Sequence, residues 1–239
     1  MLNDRFANGG PSNNLESAGI LVRQLDGLND VNKPWLPCRH TGNGDSSWCA
    51  EMADRWATSL VNPGARNLYY GVRGIGGLVL NTRVAKIFCA YPADGNSMDP
   101  NKICNPPGRA ADGSCIPGCY PSGKQCNEVG HAWDCSYAPS HLKECLEAQQ
   151  RDMGAKSRNN EMVVDLASIT SNLPQAILGF WYTPTSGSKE VSDAINARRA
   201  FLREYHLSPA TGPPLLVLDL TEKGGDRPFS LAPRGGGVG

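Results

Sequence analysis

The chain is 239 residues long and carries 23 basic and 23 acidic side chains, so its formal net charge at neutral pH is zero. Without a basic excess it has little with which to hold a phosphate backbone, which argues against nucleic acid as its main partner. Without an apolar run of about 18 residues it has no candidate transmembrane segment. With 27 Gly and 18 Pro, much of the chain must be loop. A chain of this size buries a substantial core unaided, so its nine cysteines do not replace a core as they do in toxins of about 50 residues.

Taken in chain order, residues 1–19 are polar and rich in Gly, Asn and Ser, and read as an N-terminal arm. Met1 to Phe6 lacks the apolar stretch of a signal peptide. Either the chain stays in the cytosol or a leader preceded Met1, and the cysteines favour the second. Ile20 to Leu25 is the first expected strand, ended by the Asp26-Gly27 turn signal. Trp48, Met52, Trp56 and Leu60 recur every four residues, a spacing that predicts an amphipathic helix over 48–60, stopped by Asn62-Pro63-Gly64. Gly77–Leu80 and Ala85–Tyr91 are strand candidates, joined through Asn81-Thr82-Arg83 as a hairpin or a short link. The glycine run from Gly71 to Gly77 precedes a strand instead of opening a helix, so it reads as a flexible connection and not as a dinucleotide fingerprint.

Residues 92–139 form a Cys/Gly/Pro-rich insertion of successive turn signals without an apolar period. Such a segment cannot offset its ordering entropy by burial; it is either disordered or cross-linked, and its cysteines favour cross-links. Ser140 then caps a helix that shows Leu142, Cys145, Leu146 and Gln149 on one face. Glu161 to Asp165 and Ala176 to Tyr182 are strands. Val191 to Tyr205 is a helix with Ser188 as its cap, Leu215 to Leu220 is the last strand, and residues 221–239 form a mobile tail. The expectation is a single domain over 1–239, of α+β class, with a mainly antiparallel or mixed sheet, a few flanking helices and a disulfide-rich loop insertion.

All nine cysteines lie between Cys38 and Cys145. Their irregular spacing fits disulfides, with Cys38, Cys49, Cys104, Cys115, Cys119, Cys126, Cys135 and Cys145 as the candidates. A Cys38–Cys49 bridge plus three bridges among the other six is the simplest scheme, and connectivity stays open. The odd number leaves at least one thiol free or paired between chains, and Cys89, inside an apolar strand, is the best candidate for a free one. A zinc reading would use Cys115, Cys119, His131, Cys135 and His141, but close ligand pairs at standard spacing are missing, so no metal is expected. A catalytic cysteine needs an adjacent base, and nothing singles one out. His40 and His206 carry no evident role, and a Gly-x-Ser-x-Gly elbow is absent. Disulfides place the chain outside the cell or in an organelle lumen.

One constellation stands out. Asn159-Asn160-Glu161-Met162-Val163-Val164-Asp165, followed by Ile177 to Tyr182, resembles the acidic strand of ADP-ribosyltransferases, in whose poly-ADP-ribose polymerase branch an Asn-Glu pair opens an apolar strand. The resemblance implies that Glu161 contacts the nicotinamide ribose and activates the acceptor. It implies that Arg23, on an early strand, holds the phosphates of NAD. It also implies that Thr58-Ser59 or Tyr69-Tyr70-Gly71 packs on the nicotinamide. A carboxylate there would stabilise the oxocarbenium character that builds on the ribose.

Three functions follow as expectations. The first is a secreted or luminal, disulfide-stabilised protein that binds a protein or small-molecule partner, with Tyr120, Trp133 and Tyr137 as exposed anchors. The second is an NAD-dependent ADP-ribosyltransferase-like enzyme using Glu161, Arg23, Tyr70 and Ser59. The third is a hydrolase or glycan-active enzyme built on Asp94 with Asp99 or Asp165 with Asp219, whose carboxylate separation decides the matter.

Overall fold

The computed structural model of the chain describes residues 1–25, 55–65, 76–92, 137, 139–152 and 160–233. Among them, eight strands make one sheet: β1 Ile20–Gln24, β2 Arg55–Val61, β3 Gly77–Leu80, β4 Ile87–Tyr91, β5 Glu161–Asp165, β6 Ile177–Tyr182, β7 Leu215–Leu218 and β8 Phe229–Leu231. Across the sheet the order is β4-β5-β2-β1-β3-β6-β7-β8. Every neighbouring pair is antiparallel except β6 and β7. The described helices are α1 Leu2–Ala7, α2 Leu15–Ala18, α3 Leu142–Asp152, α4 Leu166–Thr170, α5 Leu173–Ala176 and α6 Ser188–Glu204. The α+β expectation with a mixed, mainly antiparallel sheet is met. The parallel pair is joined through α6, as parallel neighbours need a long crossover.

Two apolar layers cover the sheet. On one face Leu21, Trp56, Leu60, Leu78, Met162, Val164 and Phe180 meet Leu142, Cys145 and Leu146 of α3, Ile169 of α4, Ala176 of α5 and Phe201 of α6. On the other face Ile20, Val22, Val61, Val79, Trp181 and Phe229 gather around Phe6 of α1, with Cys89, Tyr91 and Val163 as a smaller group. β1 is therefore buried on both faces, which is why its sequence is a continuous Ile-Leu-Val run instead of an alternation.

The expected helix over 48–60 is corrected where it is described: residues 55–61 are strand β2. A spacing of four is also an even number, so Trp56 and Leu60 share a face of a strand as readily as a stripe of a helix. Pairing with β1 on one side and β5 on the other selects the strand. β3 and β4 form no hairpin; residues 82–84 are a turn, and the two strands pair elsewhere in the sheet.

The N-terminal stretch is not a free arm. It holds α1 and α2, buries Phe6 completely, and is tied down by Arg5 and Arg83, which both reach one Glu16 carboxylate oxygen, at 2.8 and 2.7 Å. The tail expected over 221–239 contains β8, paired to β7 through Leu216–Leu231, Val217–Ser230 and Leu218–Phe229. Helix α6 starts at Ser188 with Gly187 as its cap, one residue before the expected one. It ends in a Schellman turn in which His206 N–H bonds Arg203 C=O and Leu207 N–H bonds Leu202 C=O. Gly77 is needed for close approach and not for flexibility: a Cβ there would stand 2.3 Å from the Trp181 indole, whose Nε1 donates to Leu78 C=O at 3.0 Å.

Candidate functional site

Neighbouring residues of a strand point to opposite faces of its sheet, and directly paired residues point to the same one. That rule places each residue of the expected NAD site. Arg23 is paired with Leu78 on β3, on the face that carries the helices. Its guanidinium carbon lies 5.9 Å from the centre of the Trp56 ring, a cation–π contact across the diagonal to β2. Glu161 is paired with Tyr91 on β4 and precedes Met162, which belongs to the helix-side core. Glu161 therefore faces the other way, beside Tyr91 and Val163, and is only 6% exposed.

Arg23 and Glu161 stand on opposite faces of the same sheet, with β2 between their strands. They do not line one cleft. Ser59 does share the Glu161 face: it pairs with Val22 and follows the Thr58–Met162 pair by one step, which sets it beside Glu161. Tyr70, with Tyr69 and Gly71, lies outside the described residues.

The Asn of the Asn-Glu pair has a structural occupation. Asn160 is fully buried. Its Oδ1 accepts from Leu60 N–H at 2.7 Å, and its Nδ2 donates to Leu60 C=O at 2.8 Å and to Gln149 Oε1 at 3.0 Å. The carboxamide behaves as one more peptide unit of the β5–β2 ladder and ties it to α3. Thr58 completes this seam, its hydroxyl donating to Met162 C=O at 2.8 Å. The spacing that predicts a helix over 48–60 hides this clasp, because a helical Leu60 would have no strand partner.

The paired-carboxylate reading fails for Asp165 with Asp219. Asp165 caps α4, accepting from Ala167 N–H at 2.9 Å, and Asp219 accepts from Thr221 N–H at 3.0 Å. Asp165 ends β5 and Asp219 directly follows β7, and these strands are five inter-strand steps apart, about 24 Å at roughly 4.8 Å per step, far beyond the ~5–10 Å of a glycosidase pair. Asp94 and Asp99 lie outside the described residues. Among the described residues, no group of three His, Cys, Asp or Glu side chains could hold a metal ion.

Two cysteines are described, and each corrects an expectation. Cys89, the residue expected to be left over, is disulfide-bonded. Cys145, expected in a bridge, is a buried thiol. The geometry explains the exchange: Cys145 sits between Leu142 and Leu146 on the core side of α3, where it packs as a small hydrophobe. Cys89 lies on the face away from the helices, opposite Val163. Cys38, Cys49, Cys104, Cys115, Cys119, Cys126 and Cys135 lie outside the described residues. Of the three expected aromatic anchors, Tyr120 and Trp133 are also outside them. Tyr137 is fully buried and extends the sheet edge by exchanging two backbone hydrogen bonds with Ala90, at 2.9 and 2.7 Å, so it is not an exposed anchor.

No protein-family model and no curated protein matches the chain.

Proposed function

We propose that this chain is a disulfide-stabilised protein of an oxidising compartment, the cell exterior or an organelle lumen, that works by binding a protein or small-molecule partner through its cysteine-rich segment. The observation that carries the reading is the disulfide at Cys89, in the strand that leads into residues 92–136. A disulfide on a strand of the buried sheet supports oxidative maturation, since glutathione and thioredoxin keep cytosolic thiols reduced.

The separation of Arg23 from Glu161 favours binding over NAD cleavage. A transferase site needs the phosphate-holding cation and the ribose-facing carboxylate around one nicotinamide nucleotide, and a sheet layer stands between these two. Incubation with NAD is expected to raise neither the thermal midpoint nor the free nicotinamide. Nicotinamide release that is lost in Glu161→Gln at unchanged stability would restore the enzyme reading. Capture of a partner from extracellular or luminal extract is expected to survive in buffer and to vanish after reduction of the protein. Capture that is indifferent to reduction would remove the cysteine-rich segment from the binding role.

A further inference from the structure

We propose that α1 is an intramolecular guard that stops the β8 edge from pairing with the β8 edge of a second copy of this chain. β8 ends the sheet. Toward β7, Pro228 C=O accepts from Asp219 N–H at 2.8 Å and Ala232 N–H donates to Leu215 C=O at 3.0 Å. Alternation along an antiparallel ladder then turns the peptide groups of Phe229 and Leu231 outward. Asn3 of α1 occupies those of Phe229: its Oδ1 accepts from Phe229 N–H at 2.9 Å, and its Nδ2 donates to Phe229 C=O at 2.8 Å. One side chain thus imitates the next strand. Phe6, one turn along α1, is buried in the same apolar group as Phe229 and holds the helix in place.

An unguarded edge of this kind is a template for strand addition. β8 is self-complementary about a two-fold axis through Ser230. Phe229 would face Leu231 of the second copy, each residue exchanging both of its outward hydrogen bonds, in an isologous contact. Leu231 is 72% exposed and lies on the Phe229 side of the sheet, so pairing would also bury an apolar side chain that is solvated in the single copy. Asn3 and a second β8 compete for the same two peptide groups of Phe229.

Asn3→Ala and Asn3→Ala with Phe6→Ala test the guard, by hydrogen exchange and by sedimentation velocity over a concentration series. The Phe229 amide is expected to exchange about tenfold faster in Asn3→Ala. The double variant is expected to form a concentration-dependent dimer, and the wild type to sediment as a monomer over the same series. Adding Leu231→Pro should return it to monomer, because the lost N–H points away from β7 and the β7–β8 ladder is spared. If near-UV dichroism shows the double variant unfolded, Asn3→Ala alone is held to the same outcomes. Unchanged exchange at Phe229, faster exchange with no dimer at any concentration, or a dimer that Leu231→Pro leaves intact would each overturn the proposal.

Discussion

At the scale of single residues, Asn160, Glu16 and His206 show how differently a polar side chain can serve a fold. Asn160 stands in for a peptide group between β5 and β2, in a site from which water is excluded. Asn160→Ala leaves Leu60 N–H, Leu60 C=O and Gln149 Oε1 without their partner, at about 1–3 kcal/mol for each group so stranded. Urea unfolding should therefore show a loss of about 2–4 kcal/mol, whereas a loss below about 0.5 kcal/mol would mean that the seam is not under tension of this kind. Glu16 acts at the surface. Hydrogen bonding to Arg83 holds its carboxyl below the usual value, desolvation opposes this, and Arg5 adds to the lowering. A carboxyl depressed in the folded state contributes stability above its unfolded value, and that contribution is lost as pH falls through the folded one. The thermal midpoint should therefore drop on acidification below the ordinary glutamate range, and Glu16→Gln should remove that part of the acid limb while lowering stability slightly at neutral pH. His206 takes φ +52° as the residue after the α6 cap, a conformation that costs a side chain about 1–2 kcal/mol. His206→Gly is expected to raise stability by about 0.5–1 kcal/mol once glycine's greater freedom in the unfolded chain is set against the relief. A fall in the melting point would show that the imidazole has a compensating contact.

At the scale of elements, Gly77 decides how β3 and β6 meet. The Trp181 indole lies over the glycine and bonds the next carbonyl, Leu78 C=O, so Gly77→Ala pushes a methyl into the ring and into Arg23 C=O. Overpacking of this kind costs typically about 1–3 kcal/mol, and near-UV dichroism of the tryptophans should change with it. The same glycine shows where sequence reading reaches its limit. Apolar runs and alternation placed β1, β3, β4, β5, β6, β7 and α6 within a few residues, because each carries its own period. β2 was misread because its four-residue spacing fits both periods, and only its two neighbours in the sheet decide between them. α1, α2 and β8 were read as arm and tail because they are short and polar. Their order comes from distant partners: Asn3 is bonded to Phe229, 226 residues away in the chain, and no local pattern announces such a pair. The candidate site was less legible than the fold. Arg23 and Glu161 each lie on a strand, as expected, but register settles which face each one takes, and a shift by one residue would have reversed the answer.

At the scale of the whole molecule, one sheet with helices on one face and α1 on the other carries a disulfide at Cys89 and a buried thiol at Cys145. The mixture and order of strand and helix patterns point to the α+β class that the molecule has; the cysteine pattern assigns the roles of these two the wrong way round. The error was physical. Cys89 was judged by the apolar strand around it, yet its side chain leaves the sheet on the face away from the helices, while Cys145 sits where a helix turns its apolar stripe inward. The two cysteines together are the most direct handle on the proposed oxidised, binding protein. The decisive measurement is differential alkylation of protein matured in an oxidising compartment, with peptide mapping by mass spectrometry. Cys145 should resist alkylation in the folded protein and label on unfolding without reductant, whereas Cys89 should label only after reduction. Cys89 labelled on unfolding alone, or Cys145 requiring reductant, would contradict the account.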